Sequence, residues 1–159
     1  MYSTHMPDEQ LDRLDDALLR LRRLWAAPPP ALVLESLDGQ PVTMSSVLVV
    51  EACARGRDEV GVGDVGQFLD VDPSTASRLV DRAVRSGLVE RRSSRADGRR
   101  VTLALTASGQ ALLVRATDFR RQWLSTVLER WSEAEVAALA GSLARFADAV
   151  GEVGPPRAG

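Results

Sequence analysis

The sequence predicts a mainly α-helical protein with one small β-hairpin, an α+β class in which the helices dominate. Two observations indicate this class. Apolar residues recur at helical spacing over most of the 159 residues, and two strand-like runs follow a short helix that has well-defined ends. The length fits one domain, and the hydrophobic content of 45% is that of a globular protein.

The first helix, which we expect from about Pro7 to Trp25, carries a row of apolar side chains along one side, here called an apolar seam. Its leucines follow a 3-4-3 spacing at Leu11, Leu14, Leu18 and Leu21. This spacing is typical of a helix that packs against another helix. The three prolines at 28–30 then end the helix, because proline has no amide hydrogen and restrains the residue before it.

Two shorter helices are expected next. Thr43 is a suitable N-cap for a helix that runs to about Arg55. Residues 62–69 fit a third helix, which contains Gly63 and Gly66. Each interior glycine costs about 1 kcal/mol relative to alanine, so this helix depends on its neighbours for stability. Asp70 then begins a tight turn, since aspartate enters left-handed conformations more readily than most residues.

The fourth helix has the clearest boundaries. Asp72 is its N-cap, Pro73 takes the first helical position and Gly87 stops it. The stripe expected to face inward consists of Leu79, Val80, Ala83 and Val84. The side chains expected to face outward are Ser74, Thr75, Ser77, Arg78 and Arg82.

The chain after this helix is expected to form the hairpin and two further helices. Residues 88–92 and 99–105 are strand-like, and residues 93–98 are a turn. Thr106 caps a long helix that reaches about Trp131, and a capping box at 132–135 opens the last one. The last helix repeats the apolar seam at Val136, Leu139, Leu143, Phe146 and Val150.

Positive charge is concentrated in one segment of an acidic chain. Residues 78–100 contain eight arginines and three acids, a balance of +5, although the whole chain has a net charge of −2. Such a segment favours binding to a polyanion. In DNA recognition, short hydroxyls near a helix N-terminus suit phosphates, and arginine suits guanine in the major groove.

The hairpin suits DNA as well. Three arginines lie in or directly after its turn, and a glycine at 98 lets the backbone approach a phosphate wall. An arginine at such a tip can enter a narrow minor groove. The candidate residues here are Arg95, Arg99 and Arg100, with Asp97 placed to hold Arg99. A solvated hairpin whose charges prevent edge pairing is the alternative interpretation.

Residues 43 to about 115 resemble the winged helix-turn-helix core of the MarR (multiple-antibiotic-resistance regulator) transcription factors. The resemblance rests on DPSTASRLVDRAVRSGLVERR followed by DGRRVTLALTASGQALL. It implies a homodimer joined by its terminal helices, which binds a pseudo-palindromic double-stranded DNA site as a repressor and is released by a small-molecule effector. Residues 1–42 and 107–151 would form the dimerisation region, residues 43–106 the DNA-binding region, and residues 152–159 a disordered tail.

The effector pocket is less well defined by the sequence. Trp25, Met44 and Trp123 are its candidate lining residues, and the tryptophans serve equally well as packing residues. The prolines at 28–30 and residues 31–42 alter the link that helps to form this pocket in the family. The pocket is therefore predicted only in outline.

Other functional classes receive less support. The single histidine, His5, makes a zinc site and histidine-based catalysis unlikely choices, so we expect neither an enzyme nor a cofactor. No run is long and apolar enough for a membrane span or signal peptide, and the single Cys53 fits a cytoplasmic protein. Two alternatives stay open: a redox regulator that uses Cys53, and a winged helix that contacts protein instead of DNA.

Overall fold

The computed structural model describes residues 8–26, 42–56, 59–94 and 100–153. It contains the helices α1 (Asp8–Ala26), α2 (Met44–Arg55), α3 (Val62–Leu69), α4 (Pro73–Arg85), α5 (Ala107–Val127) and α6 (Glu133–Val153), and the strands β1 (Val89–Ser93) and β2 (Val101–Leu105). The mainly helical class with one β-hairpin is confirmed. None of the described helices has the length and hydrophobicity that crossing a membrane requires.

The described chain divides into two compact units, one that ends at Ala116 and one that begins at Thr117. The first unit contains a hydrophobic core to which α2, α3, α4, both strands and the first half of α5 contribute. Its fully buried side chains are Val49, Val50, Val65, Val80, Ala83, Leu88 and Leu112. This core fixes the position of α4 because α4 supplies two of its members.

Helices α3 and α4 form the helix-turn-helix pair. Asp70, between them, has a left-handed backbone with φ of 51°, as the sequence predicts. At Gly66 a Cβ atom would lie 3.2 Å from the Ala76 Cβ and 3.4 Å from the Val71 carbonyl oxygen. Gly66 therefore lets the two helices approach closely, whereas at Gly63 a Cβ would meet nothing within 4 Å.

The hairpin pairs β1 with β2 in antiparallel register, with Val89 opposite Leu105 and Ser93 opposite Val101. The predicted strands are confirmed, although both begin later, at Val89 and Val101. A third segment joins them, since the Leu103 amide donates to the Val60 carbonyl at 2.7 Å. This bridge, which was not predicted from the sequence, joins the hairpin to the connector between α2 and α3.

The residue that precedes α5 is hydrogen-bonded to the turn that follows α4. The Thr106 hydroxyl donates to the Gly87 carbonyl at 2.6 Å, and Gly87 has the left-handed φ of 65° expected of a helix stop. At Gly109 a Cβ would lie 2.0 Å from the Leu88 carbonyl oxygen. Glycine is therefore required where α5 crosses this turn.

The second unit differs from the prediction in one respect. Helix α5 ends at Val127, not near Trp131. The amide of Trp131 donates to the Leu128 carbonyl at 2.8 Å, so a tighter turn replaces the helical spacing. The capping box of α6 is confirmed, because the Glu135 carboxylate accepts from the Ser132 amide at 2.8 Å. Hydrogen bonds from Ser132 lower the pKa of Glu135.

Both apolar seams lie at the surface of the single chain. On α1, Leu11, Leu14, Leu18 and Leu21 are 42–49% exposed, and on α6, Leu143, Phe146 and Val150 are 44–49% exposed. Large apolar side chains in rows of this kind usually indicate a contact surface.

Candidate nucleic-acid interface

Helix α4 separates a buried face from an exposed basic one. Ala76, Val80 and Ala83 are fully buried and hold the helix in the core. Arg78 and Arg82 are exposed on the other side, as predicted. The burial of one face is what fixes the orientation of the arginines on the other.

The arginines of α4 are available for a partner. Within the described part of the chain, no carboxylate pairs with Arg78, Arg82 or Arg85. Arg78 is restrained by one bond, in which its Nη2 donates to the Thr75 hydroxyl at 3.0 Å. The remaining donors of the Arg78 fork stay free for an acceptor.

The N-terminus of α4 is occupied by its own cap. Asp72 Oδ1 accepts from the amides of Ser74 and Thr75, each at 2.9 Å. The Ser74 hydroxyl donates to the same oxygen at 2.5 Å, and the Thr75 hydroxyl donates to Oδ2 at 2.6 Å. These bonds, first those from the side chains of Ser74 and Thr75, lower the pKa of Asp72 well below its usual range.

This arrangement corrects one part of the sequence interpretation. The Ser74 and Thr75 hydroxyls, which were expected to suit a phosphate, are already bound to Asp72, and so are the backbone amides of the same residues. The aspartate takes the position in which a phosphate would otherwise be favoured. Ser77, the third predicted hydroxyl, is partly buried beside the core face.

The arginines of the hairpin differ from those of α4, because each described one has an acidic partner. Arg91 pairs with Asp81 of α4 at 2.8 Å, and Arg100 lies 3.6 Å from Asp64 of α3. Arg92 pairs with Glu90 of the same strand. These pairs were not predicted from the sequence, because two of them join different elements. Among the described arginines of α4 and the hairpin, those without an acidic partner therefore all lie on α4.

Next to the turn of the hairpin, the Ser94 amide donates to the Arg100 carbonyl at 2.8 Å. The Ser94 hydroxyl also donates to Glu59, in the connector before α3. Of the predicted wing residues, only Arg100 lies within the described chain. Arg95, Asp97 and Arg99 lie outside the described residues.

The three candidate pocket residues are not brought together by any described contact. Met44 is partly buried against the core of the first unit. Trp123 is partly buried in the second unit, and the Trp25 side chain lies outside the described set. The effector pocket stays a prediction.

Cys53 is partly buried and packs against the core. Burial raises its pKa to about 11. A thiol of this kind contains almost no thiolate at neutral pH, and the thiolate is the form that oxidants attack. This supports the interpretation of Cys53 as a small apolar packing residue.

The fold and this surface together define a class of protein. Two helices joined by a tight turn, with an exposed basic face on the second and a hairpin directly after it, form a winged helix-turn-helix. In this class the second helix is the one that enters the major groove of DNA.

Comparisons with known proteins agree with this class. The model of the MarR family matches residues 31–100. A curated relative, the HTH-type transcriptional repressor MdtR of Bacillus subtilis, is 26% identical over 136 residues, which cover 86% of each chain. By these matches the chain is similar to the MarR family of transcriptional regulators.

Solved structures show the same fold. A MarR family protein from Bacillus stearothermophilus has a TM-score of 0.76 at 21% identity, covering 91% of this chain and 98% of its own. FabT of Streptococcus pneumoniae, solved in complex with DNA, has a TM-score of 0.61 at 18% identity, covering 92% and 96%. The winged helix-turn-helix architecture predicted from the sequence is thereby confirmed.

Proposed function

We propose that this regulator binds specific double-stranded DNA sequences with the outer face of α4 in the major groove. The observation that carries the proposal is the exposed row of Arg78, Arg82 and Arg85, which has no acidic partner among the described residues and lies opposite a buried face. Arginine binds the O6 and N7 atoms of guanine in bidentate fashion. The complex of FabT with DNA supports the same use of the shared fold.

The hairpin acts as the wing. Arg95 and Arg99 at its turn contact the adjacent minor groove, and Asp97 orients Arg99. Arg100 contributes less than the sequence suggests, because Asp64 is its neighbour in the free protein. The paired strand arginines hold the wing in place, and the residues at the tip contact DNA.

The regulator acts as a homodimer. The exposed seams of α1 and α6 support this, since a single chain leaves them in water. The regions 1–42 and 107–151 form the dimer, and the two copies of α4 reach successive major grooves about 10 base pairs apart. The operator is therefore a pseudo-palindrome.

The dimer represses transcription and responds to a small-molecule effector. The repressor name of the relative MdtR supports the first part. The family resemblance supports the second, with Trp25, Met44 and Trp123 as candidate contacts. Oxidant sensing through Cys53 is disfavoured by its raised pKa.

Selection of bound duplexes from a random DNA pool tests this proposal. We expect an enriched pseudo-palindrome whose half-sites lie about one helical turn apart. Affinity for that site should fall steeply with salt, because bound phosphates release counterions. A pool without an enriched motif, together with binding that ignores salt, would instead indicate a winged helix that contacts protein.

A further inference from the structure

We propose that Asp72 is a positioning residue that makes the hydroxyls in the first turn of α4 act as hydrogen-bond acceptors towards DNA. This turn then recognises base amino groups and not phosphates. The inference rests on the proposed function and specifies which chemical group the helix tip recognises. It follows from the bonds that join Asp72, Ser74, Thr75 and Arg78.

The hydroxyls of Ser74 and Thr75 determine what the first turn of α4 presents to DNA. Each has one hydrogen, and the oxygens of an ionised carboxylate can only accept. The Ser74 and Thr75 hydroxyls lie 2.5 and 2.6 Å from Asp72 oxygens, so both must donate their hydrogens there. What they present outward is therefore lone pairs only.

A ligand of these two hydroxyls must be a hydrogen-bond donor. Phosphate oxygens accept hydrogen bonds, and a hydroxyl that already donates its only hydrogen to Asp72 cannot donate to them. The nearby carboxylate also repels the phosphate charge. In the major groove the matching donors are the N6 amino group of adenine and the N4 amino group of cytosine. The tip of α4 should therefore select adenine or cytosine over guanine or thymine on the strand that it faces.

The same order of donors and acceptors extends to Arg78. Thr75 donates to Asp72 and accepts from Arg78 Nη2 at 3.0 Å, so the bonds run in one direction from arginine to carboxylate. Such chains of hydrogen bonds reinforce one another. Asp72 thus also helps to hold the guanidinium that is expected to bind guanine.

Asp72→Asn tests the inference because it changes little else. Asparagine is as good an N-cap as aspartate, and its carbonyl oxygen can keep the bonds that Oδ1 now accepts. Its amide nitrogen replaces Oδ2 and donates, which forces the Thr75 hydroxyl to accept and frees its hydrogen. Asp70→Asn is the matched control, since it removes the same charge two residues away and asparagine tolerates the left-handed backbone there.

The experiment is selection from the random pool with the wild type, both variants and Thr75→Val, followed by affinity measurements on duplexes that differ at the tip position. We expect the wild type and Asp70→Asn to prefer adenine or cytosine there by about tenfold. The preference should fall below threefold in Asp72→Asn and in Thr75→Val. Circular dichroism checks that all four proteins fold.

The opposite outcomes overturn the inference. One is a wild-type preference for guanine or thymine at the tip position. Another is an Asp72→Asn protein with the same discrimination as Asp70→Asn. A wild type that binds its pseudo-palindrome but shows either result refutes only the role of Asp72. A wild type that enriches no motif refutes the proposed function as well.

Discussion

At the scale of single residues, glycines decide how closely the elements of the first unit approach. Gly63 and Gly66 lie in the same short helix, and from the sequence alone each is expected to destabilise that helix. The structure separates them, because only Gly66 faces another helix, at 3.2 Å from the Ala76 Cβ. The two positions should therefore respond in opposite ways to the same substitution.

We expect Gly63→Ala to stabilise the protein by about 1 kcal/mol, since alanine is the better helix former and meets nothing within 4 Å. Gly66→Ala should destabilise it by about 1 kcal/mol or more, because the added methyl group overpacks the contact with α4. Urea unfolding measures both. A Gly66→Ala midpoint at or above that of the wild type would show that Gly66 has no packing role.

Cys53 supplies the second prediction at this scale. Its pKa of about 11 leaves little thiolate, so native protein should react with iodoacetamide at pH 7.5 far more slowly than urea-unfolded protein. Reactivity should rise as the pH approaches 11. Peroxide should leave operator binding unchanged in both the wild type and Cys53→Ser. Loss of binding in the wild type alone would restore the redox alternative.

At the scale of elements, the local signals of the sequence were sufficient for most boundaries. Thr43, Asp72 and Ser132 each cap the helix that was predicted to follow them. The end of α5 was placed too late because no proline or glycine follows Val127 to mark it. Caps act through bonds between residues two or three apart, so a sequence pattern can predict them.

The candidate site was predicted only in part for the same reason. The outward arginines of α4 follow from helical spacing. The pairs Arg91–Asp81 and Arg100–Asp64 join residues from different elements, and no spacing rule reveals them. The bonds from the Ser74 and Thr75 amides to Asp72 are local and follow from its predicted role as N-cap. The bonds from their hydroxyls were not predicted, because those hydroxyls were assigned to phosphate.

The junction of α4, β1 and α5 supports a prediction at the scale of elements. Gly109→Ala would place a methyl group 2.0 Å from the Leu88 carbonyl oxygen. The backbone at Leu88 or at residue 109 would then have to move. We expect destabilisation of about 3 kcal/mol or more, beyond the usual cost of overpacking. Urea unfolding with Gly63→Ala as the control checks this. A Gly109→Ala protein as stable as the wild type would contradict the close crossing.

At the scale of the whole molecule, the exposed seams predict that the chain forms a dimer through α1 and α6. Leu143→Glu places a charge in the α6 seam and should shift sedimentation from dimer towards monomer. Operator affinity should fall with it, since one copy of α4 then binds alone. Leu48→Glu makes the same change at an exposed position of α2, outside both seams, and should leave sedimentation and operator affinity unchanged. A wild type that sediments as a monomer would contradict the dimer.

The central claim is that the outer face of α4 recognises DNA, and one measurement tests it most directly. Affinities for the selected duplex and for a scrambled duplex of equal length are compared at one salt concentration for the wild type, Arg78→Ala and Arg121→Ala. The last variant removes the same charge from α5.

We predict that Arg78→Ala weakens binding to the selected duplex by about 1–3 kcal/mol and reduces its preference over the scrambled one. Arg121→Ala should keep the wild-type preference. An Arg78→Ala protein that binds the selected duplex as tightly and as specifically as the wild type would contradict the claim.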